Sequence, residues 1–122
     1  GYGGKGKQVR DILHVEDVFD LLLIQLSDIK KYSGQVFNVG GGVERSLSLC
    51  ELTLLCQKIS GNKIPIRSIS ETRPGDLRIY ITDNTKVIKA LGWKPKRNTE
   101  TIMNDIYTWI IQNKKDLEII LS

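Results

Sequence analysis

The segment that constrains this chain most is the apolar run at residues 18–26, where seven of nine side chains are Val, Phe, Leu or Ile. Glu16 and Asp17 precede it and place negative charge where a helix begins, which suits the helix dipole. A helix that is apolar on most sides has to be covered by more than one layer of structure. The sequence therefore predicts a helix from Asp17 to about Leu26, with a large neighbour packed over it.

The other segments alternate between strand-like and helical patterns, which is typical of an α/β fold. Extended segments are predicted at residues 8–15, 35–39 and 79–81, with a weaker edge strand around Ile64 and Ile66. Further helices are predicted from the Ser48/Glu51 capping box to Gly61, from Asp83 to Gly92, and from Thr99 onward. Three or four strands this short and scattered are too few for a complete doubly wound sheet.

Composition excludes several classes of protein. The 122 residues suffice for one domain, and 40% hydrophobic with 26% charged residues is ordinary for a globular protein. The longest apolar run is far too short to cross a membrane, and no signal segment opens the chain. A net charge of +4 favours an anionic ligand, but without a dense Lys/Arg cluster the phosphates of a small molecule fit as well as nucleic acid.

Cysteine and histidine usage points away from metal and disulfide chemistry. On one helix Cys50 and Cys56 lie ~9 Å apart along the axis, too far for a disulfide. Two reduced thiols predict small core residues of a cytoplasmic protein. His14 has no Cys or His at ligand spacing, so no metal site is expected. The chain has neither a plausible nucleophile set nor a Tyr-x-x-x-Lys pair, and no catalytic residue is assigned.

Two glycine-rich segments raise the question of a dinucleotide site. Gly1-x-Gly3-x-x-Gly6 matches the fingerprint letter for letter, but that motif needs a strand before it and a helix after it. Here a predicted strand follows the glycines. The run at 40–42 does leave a predicted strand, but Arg45 stands where the third glycine is needed. No cofactor-binding residue is therefore predicted.

Two arginines are candidates for holding an anion. Arg10 lies in an otherwise apolar strand and needs a negative partner, which is either Asp11 or a ligand. Arg73 and Asp76 flank a Pro-Gly turn that displays both side chains rigidly. A guanidinium fork suits phosphate, and a carboxylate accepts from both hydroxyls of a ribose. The alternative is a plain exposed turn.

Three segments together resemble the extended short-chain dehydrogenase/reductases that act on nucleotide sugars. They occur in the order and at the spacing of that family: Gly3-Gly4-Lys5-Gly6-Lys7-Gln8-Val9-Arg10-Asp11 with His14-Val15-Glu16-Asp17; Val36-Phe37-Asn38-Val39-Gly40-Gly41; and Arg73-Pro74-Gly75-Asp76 with Leu91-Gly92-Trp93-Lys94-Pro95. Within that family, the sequence of residues 2–11 and 46–49 most resembles the 2-epimerases that act on CDP-activated deoxysugars such as CDP-paratose and CDP-tyvelose.

The resemblance implies that residues 1–122 are the C-terminal, sugar-nucleotide-binding portion of a Rossmann-type enzyme. The N-terminal half would carry the NAD fingerprint and the Tyr-x-x-x-Lys pair. Residues 10–42 are then expected to pack on that missing Rossmann half. NAD would belong to the parent enzyme, and we expect the chain alone to bind none and to be inactive.

The resemblance also assigns roles to individual residues. Arg10 and Arg73 match positions that hold the diphosphate, Asp76 matches the one that holds the ribose, and Tyr2 lies beside the base pocket. The expected partner is a CDP-sugar or another nucleotide sugar, and neither nucleic acid nor a membrane. An uncovered apolar helix at 17–26 would also favour self-association.

Two alternatives remain open. The first is the same portion of a UDP-sugar 4-epimerase or a dTDP-sugar 4,6-dehydratase. The second is a stand-alone basic module that binds nucleotides or nucleic acid. The eight aromatic residues are scattered and form no stacking cluster, which argues against nucleic acid.

Overall fold

A computed structural model describes residues 2–121 as an α/β arrangement, which confirms the predicted fold class. The strands are β1 (Val9–Asp11), β2 (Ser46–Ser48) and β3 (Ile79–Tyr80); the helices are α1 (Val15–Ser27), α2 (Ile29–Tyr32), α3 (Leu49–Ser60), α4 (Thr85–Leu91), α5 (Thr99–Gln112) and α6 (Lys114–Leu121). In this part of the chain, no helix has the length and apolar character needed to span a bilayer.

The three strands form one small sheet in the order β2-β1-β3, which places β1 in the middle. Arg10 pairs with Leu47 of the antiparallel β2 and with Tyr80 of the parallel β3. Parallel strands begin at the same end of a sheet. The turn at 73–76 comes just before β3 and therefore lies beside the start of β1.

Several predicted strands are shorter than expected or do not form. The strand predicted at 8–15 ends at Asp11, because its antiparallel partner β2 begins only at Ser46 and α1 begins soon after. Neither residues 35–39 nor the segment around Ile64 and Ile66 forms a strand in the described chain. An alternating pattern favours extended backbone, but a strand exists only where a neighbour takes its hydrogen bonds.

The helix boundaries agree more closely with the sequence. The predicted capping box is present, since Ser48 and Glu51 exchange their bonds and Gly61 ends α3 in the left-handed conformation. α1 and α5 begin within two residues of the predicted positions. α4 begins one residue later than expected, because its cap position is Asn84, while Asp83 accepts the Thr85 N–H.

The core lies on one side of α1. Leu21 of α1 packs with the fully buried Val87 of α4 and with Trp93. The opposite face of α1 is open: Phe19 is 57% exposed and Leu26 is 65% exposed. Within residues 2–121, only one of the two layers that this helix requires is therefore present.

Candidate functional site

The candidate site is built around Arg10 on the middle strand. Its Nη2 donates to Oδ1 of Asp76 at 3.1 Å, and its Nη1 donates to the Val9 carbonyl at 2.7 Å. The Arg10 side chain remains 42% exposed. A guanidinium has five N–H donors, so three are left for a ligand in the described chain.

The structure shows that Asp11 is not the partner of Arg10. The interpretation in which Asp11 neutralises Arg10 is wrong, because Arg10 forms its ion pair with Asp76, 66 residues away. Neighbouring side chains on a strand point to opposite faces, which separates Asp11 from Arg10. Asp11 instead accepts the N–H of Gly42 at 2.9 Å.

Asp76 is the point at which the separate segments meet. Its Oδ2 accepts from the side-chain amide of Gln8, and its carbonyl accepts from the Tyr2 hydroxyl. The Tyr2 N–H also donates to Oγ1 of Thr72 at 2.8 Å. The structure therefore gathers Tyr2, Arg10 and Asp76, which the sequence singled out, and adds Gln8, which it did not. The spacing Gln8-x-Arg10 was the available signal, because residues two apart share one face of a strand.

Arg73 is exposed on the turn that carries Asp76. The turn is closed by the Asp76 N–H, which donates to the Arg73 carbonyl at 3.2 Å, and Gly75 supplies the required positive φ of 78°. The guanidinium of Arg73 makes no hydrogen bond or ion pair with the described residues. The turn bearing Arg73 is thus bonded to Arg10 through Asp76, while no residue among 2–121 pairs with the charge of Arg73.

Asp11 holds the loop next to the site. Partial burial raises the pKa of Asp11, but hydrogen bonds from the Gly42 N–H and from the hydroxyl and N–H of Thr82 outweigh it. The net pKa lies below the ordinary value, and the carboxylate is ionised at neutral pH. The same loop runs close to β1, since a Cβ on Gly41 would lie 2.0 Å from the Ile12 carbonyl oxygen.

The carboxylate of Asp17 has a role that the sequence did not show. Asp17 lies in the first turn of α1, as expected for a negative charge at a helix start, but His14 caps the helix and Asp17 is fully buried. Asp17 accepts from the Arg97 guanidinium at 2.7 Å and from two backbone N–H groups at Lys96 and Arg97. Its own carbonyl accepts from the Trp93 indole. The partner lies 80 residues away, so local pattern gave no signal of it.

The glycine segments do not form a dinucleotide site in the described residues. Gly1 lies outside them. Residues 2–4 form a single tight turn, and the loop through Gly6 then leads into β1 rather than into a helix. The run at 40–42 leads into a short 3-10 turn, where Arg45 donates to the carbonyls of Arg97 and Pro95. Neither segment could place a pyrophosphate at a helix N-terminus, so neither has the geometry of the dinucleotide motif.

Comparison with known proteins gives a consistent family assignment. Residues 2–106 match the profile of the GDP-mannose 4,6-dehydratase family. The chain is 35% identical over 106 residues to CDP-paratose 2-epimerase of Salmonella typhi, covering 87% of this chain and 31% of that protein. It is 33% identical over 118 residues to dTDP-glucose 4,6-dehydratase 1 of Escherichia coli K12, covering 92% and 32%.

The fold is similar to solved structures of the same kind. UDP-glucose 4-epimerase from Bifidobacterium longum, in complex with NAD+ and UDP, superposes with a TM-score of 0.73 at 26% identity, covering 93% of this chain and 34% of that one. The chain spans about a third of the length of the curated relatives it matches. With its small sheet, its Arg-Pro-Gly-Asp turn and its profile match, the chain belongs to the GDP-mannose 4,6-dehydratase family, within the extended short-chain dehydrogenase/reductases.

Proposed function

We propose that this chain is the sugar-nucleotide-binding portion of an NAD-dependent nucleotide-sugar epimerase, a CDP-paratose (CDP-tyvelose) 2-epimerase. In this proposal it is the C-terminal portion, and residues 10–42 pack on the Rossmann half. The observation that carries the proposal is the Arg10–Asp76 pair, together with the exposed Arg73 on the same turn as Asp76, whose guanidinium pairs with no residue among 2–121. The 35% identity to CDP-paratose 2-epimerase supports the choice of sugar nucleotide.

Two guanidinium groups match the charge of a sugar nucleotide. Its diphosphate carries two negative charges, and Arg10 and Arg73 both keep donors that no described residue uses. Arg10 is held on the sheet by Asp76, and the turn that holds Asp76 also carries Arg73. Binding the diphosphate between them fixes the attached sugar, which is the contribution of orientation to catalysis.

Asp76 and Tyr2 can serve the nucleoside end. Each carboxylate oxygen of Asp76 accepts one bond within the cluster and has a second acceptor site left, which is sufficient for a ribose hydroxyl. The hydroxyl of Tyr2 donates to the Asp76 carbonyl, so the aromatic ring of Tyr2 is the part that can contact the base. These roles follow the resemblance of residues 2–11 and 73–76 to the family.

NAD belongs to the rest of the enzyme in this proposal, which is supported by the absence of a pyrophosphate-binding geometry at the two described glycine segments. No step of the reaction is therefore assigned to this chain. We expect the chain alone to bind a CDP-sugar weakly, to turn none over, and to bind no NAD through its glycines.

Substitution of Arg73 tests the proposed role in binding. In the full-length enzyme, Arg73→Ala removes a charge-assisted contact with the diphosphate and should raise the Michaelis constant for the CDP-sugar about tenfold to a hundredfold. Arg67→Ala is the matched control, because Arg67 is exposed in the same irregular segment. A Michaelis constant that stays unchanged in Arg73→Ala removes this residue from the site.

Two other functions are distinguished by substrate. A UDP-sugar 4-epimerase or a dTDP-sugar 4,6-dehydratase is favoured by the 33% identity to relatives with those names. Product analysis after incubating the full-length enzyme with CDP-, UDP- and dTDP-sugars separates the three. A stand-alone nucleic-acid module instead predicts tight binding of a random oligonucleotide that falls steeply with salt.

A further inference from the structure

Gln8 stands at the candidate site without an assigned role. Its side-chain amide donates to Oδ2 of Asp76, while Arg10 donates to Oδ1 of the same carboxylate. Gln8 directly precedes β1 and lies two residues before Arg10, so extended backbone brings both side chains to one face. The two oxygens of Asp76 are therefore taken by two donors from one short segment, one neutral and one charged.

The carboxylate needs such a support because its own segment provides little. Residues 61–73 have no regular secondary structure, and Asp76 comes immediately after the turn at 74–75. Its side chain is fixed by Gln8 and Arg10, and its carbonyl by Tyr2. A long, flexible arginine binds a ligand more tightly when its guanidinium is already oriented, because less conformational freedom is lost on binding.

We propose that Gln8 is a positioning residue, whose amide holds the Asp76 carboxylate so that Asp76 orients Arg10 toward the diphosphate of the substrate. The inference rests on the proposed function and names a further residue for it. Gln8 has no charge and acts through Asp76 rather than on the substrate itself.

The first test removes the donor and keeps the size of the side chain. Gln8→Met in the full-length enzyme is titrated with CDP-glucose, whose doubly esterified diphosphate keeps its charge from pH 5 to 8. We expect the dissociation constant to rise about tenfold, as for a lost hydrogen bond to a charged group. Gln112→Met, on the exposed last turn of α5, is the control and should bind like the wild type.

The second test asks whether the hydrogen bond itself matters. In Gln8→Glu the two carboxylates repel each other at pH 8, and affinity should fall at least as far as in Gln8→Met. Gln8→His at pH 8 keeps a neutral N–H donor at a similar reach from the backbone, so affinity should return to within about threefold of the wild type.

The outcomes separate the two proposals. If the wild type fails to bind CDP-, UDP- and dTDP-glucose, the proposed function fails and the role of Gln8 falls with it. If the wild type binds one of them and Gln8→Met binds it equally well, only the role of Gln8 is overturned. Weak binding of Gln8→His, with folding confirmed by circular dichroism, also contradicts positioning through a donated hydrogen bond.

Discussion

Asp17 is the buried charge that ties α1 to the connector before α5. Its carboxylate is fully buried and accepts from the Arg97 guanidinium and from two backbone N–H groups of the connector. Removing the Asp17 carboxylate leaves the two backbone N–H groups without an acceptor, while Arg97 keeps its ion pairs with Glu16 and Asp20. Breaking such a buried cluster costs more stability than breaking an exposed ion pair.

Substitution at Asp17 should therefore destabilise the fold strongly. Asp17→Ala is expected to lower the free energy of unfolding by about 3 kcal/mol, measured by urea denaturation. Asp20 provides the matched control, because it lies on the same helix, is partly exposed, and pairs with the exposed Lys96 at 3.0 Å and with Arg97 only at 3.7 Å. Asp20→Ala should change stability far less. Equal losses in the two variants would contradict the assignment of Asp17 as the anchor.

The ion pair between Arg10 and Asp76 shows how much of the candidate site the sequence alone could predict. Both were singled out from the sequence for different reasons: Arg10, a lone arginine in an apolar strand, as a partner for an anion, and Asp76, on a rigid turn, as an acceptor for the hydroxyls of a ribose. Their bond to each other was not, because 66 residues separate them and no local pattern encodes the register of β1 against β3. The same limit hid the pairing of Asp17 with Arg97.

At the level of elements, Asp11 joins β1 to the loop at 40–42 and to Thr82 after β3. Its pKa is lowered in the fold, because the bonds from Gly42 and Thr82 outweigh the effect of partial burial. A carboxylate with a depressed pKa stabilises the fold above its ordinary pKa, about 4, and this contribution is lost as the pH falls through the folded value.

The comparison of wild type with Asp11→Asn tests this link. The stability advantage of the wild type should be fully present at pH 6–7 and should shrink below about pH 4, measured by urea denaturation at each pH. An advantage that stays constant or grows toward acid would show that the charge of Asp11 does not hold the loop.

Local signals predicted helices better than strands. The capping box at Ser48 and Glu51 and the glycine at 61 define α3 from neighbours within a few residues, and the structure confirms them. Strands depend on partners that lie far along the chain. β2 was missed because Ser-Leu-Ser is too polar and too short to stand out, and residues 35–39 form no strand with the described residues.

At the scale of the whole molecule, α1 carries an apolar face that residues 2–121 leave open. Phe19, Leu22, Leu23 and Leu26 are each about half exposed or more. Contiguous apolar surface of this kind marks a contact with another protein surface. The proposal assigns this face to the Rossmann half in the parent enzyme, or to self-association when the chain stands alone.

Light scattering on the isolated chain tests the second part of that assignment. We expect the 122-residue chain to form dimers or larger species, and Leu22→Glu with Leu26→Glu to shift it toward monomer. Ile64→Glu is the control, because Ile64 is exposed in a different segment. A clean monomer that binds no dye for apolar surfaces would contradict self-association.

The central claim is that two guanidinium groups, far apart in sequence, hold one diphosphate. The most direct measurement is a crystal structure of the full-length enzyme with a bound CDP-sugar. The account predicts that the side chains of Arg10 and Arg73 both lie within hydrogen-bond distance of the phosphate oxygens, with Asp76 still bonded to Arg10. A diphosphate bound elsewhere, or the two guanidinium groups on opposite surfaces, would contradict it.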